Sequence, residues 1–228
     1  MLRRIVKLLK KLPVDLGQYE LRYRTKGKLI AYDLVGNGAG KKALDVGCRD
    51  GYWSEKLKQK GYAVVACDIE PQYSGAIKLD ANRPFPFAEN EFDLAWCAEV
   101  IEHLLDPAFT IAEFKRVLKP GGLLIMTTPN QGFWVFRVFA RFGVSMASLQ
   151  NEEHEHDFSH ADMRRLVGAS NLYGYFPYAL VKWRIQKAAS LLSPTIVLCH
   201  TNDKRGARAG CPSVPAEIPG ANSNVRSI

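Results

Sequence analysis

Ala43-Leu-Asp-Val-Gly-Cys-Arg-Asp-Gly51 is the stretch on which the reading of the chain turns. Lys42 to Val46 is an apolar run that predicts a strand, and it ends in Asp-x-Gly-x-x-x-Gly before Trp53 to Lys60, which predicts a helix. Glycines at that junction let the backbone turn sharply and let a ligand approach it, at the strand edge where open α/β sheets bind ligands. Working outward, Ala63 to Ile69, Ile77 to Asp80, Phe92 to Cys97 and Leu123 to Thr128 read as further strands. Asp106 caps a helix with Pro107 at its first position. Phe109, Ile111, Phe114, Val117 and Leu118 give that helix its apolar face, and Pro120-Gly121-Gly122 ends it. The alternation predicts an α/β domain with a mostly parallel central sheet and helices on both faces. Only Glu70 to Ala76, with Pro71 and Gly75, separates the second and third strands, so the second crossover is shortened.

Beyond Pro129 the pattern weakens. Phe133 to Val144 is aromatic-rich, and its only charges are Arg137 and Arg141, four apart on one helical face. Residues 145–160 are polar and carry His154, His156 and His160. Asp162 to Ser170 predicts a helix, and Tyr173 to Val181 with Thr195 to Cys199 predict a final antiparallel strand pair.

With 228 residues and 47% apolar side chains the chain has the make-up of one globular domain. No stretch approaches the ~18 to 20 apolar residues of a membrane-spanning helix. The basic start lacks the long apolar core and cleavage site of a secretory signal, so a cytoplasmic location is expected. Five widely spaced cysteines without a C-x-x-C pair predict neither a disulfide framework nor a zinc site. The net charge of +8 is unevenly placed: residues 1–28 hold nine basic and two acidic side chains, leaving +1 for the rest. Leu2, Ile5, Val6, Leu9 and Leu12 line one helical face, with Arg3, Arg4, Lys7, Lys10 and Lys11 opposite. Residues 1–35 are therefore read as a basic amphipathic helical segment or lid, 36–200 as the main domain and 201–228 as an unstructured tail. The amphipathic helix either packs on the domain or lies on an anionic membrane surface through residues 1–12. Nucleic acid is the less favoured partner, because no recognition fold is appended.

Two acids in register with the strand order sharpen the glycine signal. Asp68 ends the second strand, where a carboxylate accepts hydrogen bonds from ribose hydroxyls, and Asp80 ends the third, placed to accept from an exocyclic amine. A nucleoside across the strand edge accounts for all three features, whereas loop glycines and helix-capping acids would account for each only singly. The chain resembles the class I S-adenosylmethionine-dependent methyltransferases, in particular small-molecule enzymes such as the ubiquinone-biosynthesis O-methyltransferases. The resemblance is carried by Leu44 to Gly51, Ala66-Cys-Asp-Ile69, Leu79-Asp-Ala81, Pro84 to Phe87, Phe92-Asp93, Glu99-Val-Ile-Glu-His103, Phe114 to Gly122 and Thr128-Pro-Asn130. It implies a Rossmann-like fold and S-adenosyl-L-methionine as cofactor. Asp45, Gly47 and Gly51 would then shape the pocket for the methionine part, Asp68 with Ile69 would serve the ribose end, Asp80 and Ala81 would meet the adenine, and Cys97 and Ala98 would lie near the sulfonium. Arg49 stands where the family usually has a second glycine. A side chain is excluded there only if φ is positive, so the expectation is an ordinary φ with the side chain outward.

Methyl transfer from a sulfonium is an in-line displacement, so the enzyme chiefly positions the acceptor and excludes water, with a general base needed only for a protonated nucleophile. His154, His156 and His103 are the candidates for base or acceptor contact. Glu99, Glu102 and His103 form an E-x-x-E-H pattern that resembles the divalent-metal site of small-RNA 2′-O-methyltransferases. The pattern is also common in small-molecule members, and no metal ligand is assigned. The expected activity is methyl transfer to oxygen of a small or lipid-like acceptor. The alternatives are a cofactor-binding degenerate enzyme and a metal-dependent RNA 2′-O-methyltransferase.

Overall fold

The computed structural model describes residues 25–141, 155–175 and 184–203. The amphipathic stretch 1–12, His154 and the tail from residue 204 lie outside them, as do residues 176–183.

Among the described residues eight strands form one sheet in the order β3-β2-β1-β4-β5-β8-β6-β7: β1 Lys42–Val46, β2 Ala63–Asp68, β3 Ile77–Lys78, β4 Phe92–Ala98, β5 Leu118–Pro129, β6 Asn171–Tyr175, β7 Arg184–Ile185 and β8 Thr195–Thr201. Strands β3, β2, β1, β4 and β5 are mutually parallel, while β8, β6 and β7 add antiparallel pairs. The mostly parallel α/β sheet with an antiparallel C-terminal pair is as expected. Tyr173 pairs with Val197, although the strand begins at Asn171 and a two-residue partner at Arg184 was not foreseen.

Burial on both faces explains why the parallel strands read as apolar runs. On one face Leu44, Val46, Ala95, Cys97, Leu124 and Met126 pack against Ile111, Phe114 and Val117 of α3 (Pro107–Val117) and Met163 and Val167 of α5 (His160–Val167). On the other, Ala43, Leu94, Trp96, Ile125 and Val197 meet Ile30, Ala31 and Leu34 of α1 (Lys26–Leu34) and Trp53 and Leu57 of α2 (Tyr52–Gln59). Helix α1 thus belongs to the core, although the sequence boundary at residue 35 had set it apart. The boundary at 200 moves as well. Thr201 still belongs to β8, and Asn202 is buried, its amide donating to the carbonyls of Lys115 and Leu118 at 2.9 and 2.8 Å.

Asp106 caps α3 by accepting from the Phe109 N–H. Helix α5 begins at His160, two residues before the expected start, because Ser159 and Asp162 form a reciprocal capping box. The aromatic stretch yields a shorter helix, α4 (Trp134–Ala140), and a single turn, α6 (Ala189–Leu192), precedes β8. Strand β5 starts at Leu118, since Lys119 to Gly122 form an irregularity between the Phe92–Leu118 and Leu94–Leu123 pairs. No helix intervenes between β2 and β3. Cys48, Cys67 and Cys97 are buried free thiols, whereas Cys199 in β8 is disulfide-bonded, contrary to the expectation from cysteine spacing.

Candidate active site

The chain runs from β1 outward through β2 and β3, then returns to the other side of β1 as β4. This reversal opens a crevice at the carboxyl ends of β1 and β4, the position where doubly wound sheets bind ligands. The predicted cofactor residues gather around it. Gly47 and Gly51 have φ of 80° and 83°, so both need the left-handed region. A β-carbon on Gly47 would overlap Val100, and one on Gly51 would overlap the Tyr73 ring. The Cys67 carbonyl accepts from the Gly47 and Cys48 N–H groups at 2.8 and 3.0 Å, which ties the turn to the end of β2.

Arg49 has φ 49°, in the left-handed region, so the expectation of an ordinary φ is corrected. The loop keeps the backbone of a glycine turn and bears a local steric cost, on the order of 1 kcal/mol. Its N–H donates to Asp68 Oδ2 at 2.8 Å, while Asp68 Oδ1 accepts from Glu70 N–H at 2.9 Å. Each carboxylate oxygen retains acceptor capacity. Ile69 follows as a 57% exposed apolar side chain, an open wall at the strand end. Asp80 is more engaged than expected: Oδ1 accepts from the Asn82 backbone and side chain at 2.9 and 3.0 Å, and Arg83 lies 3.4 Å from Oδ2. These bonds, the Asn82 backbone first, hold its carboxyl below the usual range. Ala81 is buried, with its carbonyl accepting from Thr110 Oγ1.

Asp45 lies at the other end of the crevice, 1% exposed, accepting from Ser54 Oγ at 2.5 Å. Burial pushes its carboxyl up to about 7, opposed by the Ser54 bond and by the field of Lys28. Cys97 is fully buried, and desolvation drives its thiol well above the usual value; Ala98 is half-buried beside it. Lys28, which pattern reading missed, and Glu102 complete this end. Lys28 of α1 is buried and acts electrostatically on both Asp45 and Glu102, and only tertiary packing reveals it. Glu102 was noted as a possible ligand, yet its isolation emerges only from the fold. It is 1% exposed, accepts from Thr128 Oγ1 at 3.1 Å, and burial raises its carboxyl well above the usual range.

Of the histidine candidates, His154 falls outside the described residues. His156 is half-buried, its ring 5.8 Å from that of Phe158, and its N–H donates to the Glu102 carbonyl at 3.0 Å. His103 is exposed on the 3₁₀ turn Ile101–His103, so the His156 backbone is docked on the turn that carries His103. Among the described residues no group of three His, Cys, Asp or Glu is arranged to hold a metal ion.

A positive-φ glycine turn, an acid at the next strand end and a strand-order reversal define a nucleoside-binding type of α/β domain. The chain belongs to the methyltransferase-domain family, whose model matches residues 18–175. It is similar to the ubiquinone biosynthesis O-methyltransferases of Aromatoleum aromaticum and Pseudomonas aeruginosa, 30% and 31% identical over 134 residues, each match covering 53% of this chain and 57% of the relative. The chain thus spans a little over half the length of these curated relatives. Its fold is similar to S-adenosylmethionine-dependent methyltransferases from Mesorhizobium loti (TM-score 0.60, 13% identity, 78% of this chain and 98% of that one) and Archaeoglobus fulgidus (0.57, 15%, 80% and 97%).

Proposed function

We propose that the protein transfers a methyl group from S-adenosylmethionine to an oxygen of a small or lipid-like acceptor. The observation that carries the reading is the Gly47–Gly51 turn hydrogen-bonded to Asp68 at the switch point of the sheet. The residues fit the cofactor: two positive-φ glycines let the backbone turn sharply at the strand end, Asp68 has acceptor capacity for ribose, and Ile69 offers exposed apolar surface for a base. When bound, the cofactor supplies an electrophilic methyl group on a sulfonium.

The chain's own residues hold and orient. Gly47, Gly51 and Asp45 shape the methionine end, where Lys28 adds a buried positive charge. Cys97 and Ala98 form the floor near the sulfur. His156, with His154 and His103 as the other candidates, takes the proton of an acceptor hydroxyl. Oxygen as the methylated atom is supported by the similarity to ubiquinone biosynthesis O-methyltransferases. The amphipathic residues 1–12 favour an acceptor reached at a membrane surface. Retention of the full chain on anionic liposomes, lost on deleting residues 1–12, checks that contact.

The deciding experiment offers methyl-labelled S-adenosylmethionine with catechol and prenylated catechol acceptors. Label in the acceptor supports the proposal. Absence of S-adenosylhomocysteine binding by calorimetry removes it. A second reading, binding without turnover, is favoured by Arg49 at a family glycine position, and binding without label transfer across the panel selects it.

A further inference from the structure

We propose that Tyr73 is a positioning residue for the nucleoside half of the site, acting through the Arg49 peptide. This rests on the cofactor reading above. The segment Glu70 to Ala76 replaces a crossover helix, and its backbone folds back on the glycine turn: the N–H groups of Gln72 and Tyr73 both donate to the Arg49 carbonyl, at 3.0 and 2.9 Å. The other side of the same residue donates its N–H to Asp68. Arg49 therefore joins the ribose acid to the strap, with both of its main-chain groups used. That arrangement holds a non-glycine residue at φ 49°, a conformation it would not keep unaided.

The middle of the strap is clasped to α2 through the Tyr73 side chain. The Tyr73 ring covers the α-carbon of Gly51, where any β-carbon would collide with it. Its hydroxyl donates to Glu55 Oε1 and accepts from Lys58 Nζ at 2.6 Å, and the Lys58 ammonium stands 5.2 Å from the ring centre. Glu55 lies in the first turn of α2 and Lys58 three residues further on, so the clasp closes on the helix that the glycine turn opens. In a chain without the second crossover helix, Tyr73 supplies the packing that keeps Arg49 to Gly51 in their binding conformation before the ligand arrives. Pre-organisation of this kind strengthens binding by removing an ordering cost from the binding step.

The test is calorimetric titration of the full chain with S-adenosylhomocysteine. Tyr73→Ala weakens binding roughly tenfold, the cost of ordering about one peptide unit on binding. Tyr73→Phe keeps the ring, loses the hydroxyl clasp and weakens binding about threefold, in line with one or two modest hydrogen bonds. Thermal midpoints stay at the parent value in both. Without ligand, amide exchange at Arg49, Gly51 and Glu70 speeds up in Tyr73→Ala, and exchange in β1 and β4 does not. Equal affinity for the parent and Tyr73→Ala overturns the positioning role and leaves the cofactor reading standing. A parent that binds no S-adenosylhomocysteine overturns both. Should Tyr73→Ala unfold, Tyr73→Phe decides: parent-like affinity refutes the clasp.

Discussion

The buried Asp45 carboxyl makes cofactor binding pH-dependent, with a sign that follows from its surroundings. Desolvation raises it to about 7, because Ser54 and Lys28 compensate only part of the cost of burying the charge. The α-ammonium that S-adenosylhomocysteine brings to the methionine end stabilises the carboxylate, so binding releases the proton Asp45 carries. With the free site titrating near 7, about three quarters of a proton leaves per ligand at pH 6.5 and about a tenth at pH 8. The affinity for S-adenosylhomocysteine then rises about tenfold from pH 6 to pH 8. Calorimetry in two buffers of different ionisation enthalpy measures both quantities. Asp45→Asn flattens the slope. The same shift acts on folding with the opposite sign: an acid raised in the folded state binds its proton there first, so the stability of the free protein falls as pH rises from about 4 to about 7, by at most about 4 kcal/mol. Asp45→Asn escapes that loss. A pH-independent affinity in the parent, or an unchanged slope in the variant, would refute the reasoning.

His160 and Asn202 give two stability predictions. His160 is 7% exposed with neither ring nitrogen hydrogen-bonded, and burial lowers it to about 4. The unfolded chain then binds more protons below about pH 6.5, and the fold loses up to about 2 kcal/mol by pH 5. His160→Leu removes that loss and is at least as stable as the parent at pH 7, because no buried nitrogen is left unpaired. Urea denaturation at pH 7 and pH 5 checks it, and an equal acid loss in both proteins contradicts it. Asn202→Ala strips the amide from the Lys115 and Leu118 carbonyls and costs about 1 to 3 kcal/mol. A melting temperature within error of the parent would place Asn202 outside the core.

The parallel half of the molecule was legible because local signals and tertiary needs coincide there. Lys42–Val46 is both an apolar run and the strand, and Pro107 after Asp106 is both a helix signature and the helix. The glycine turn, Asp68 and Ile69 were found at the crevice because strand ends and glycine spacing are written in order along the chain. The place of helix α1 in the core was not legible. Lys26 and Lys28 look solvated yet are buried, and Gly27 is a poor helix residue whose missing side chain admits Thr195 Cγ2, 2.7 Å from where its β-carbon would stand. Arg49 was misjudged because nothing in residues 43–51 announces that Gln72 and Tyr73 will grip its carbonyl. Asp80 was expected to end the third strand, yet that strand stops at Lys78, and the engagement of Asp80 by Asn82 depends on a turn geometry that spacing does not encode.

The position of β8 bears on how the protein is made. Among the described residues it is the last strand along the chain, yet it sits between β5 and β6, pairing seven residues of the former and three of the latter. Until Thr195–Thr201 has been synthesised and inserted, β5 offers a bare edge of seven apolar-flanked pairing positions and β6 has no partner toward the parallel half. Such pairings close long loops and form slowly, and an open edge meanwhile is a template for wrong partners. The interval between translation of β5 and arrival of β8 is therefore the moment at which this chain has most to gain from a chaperone.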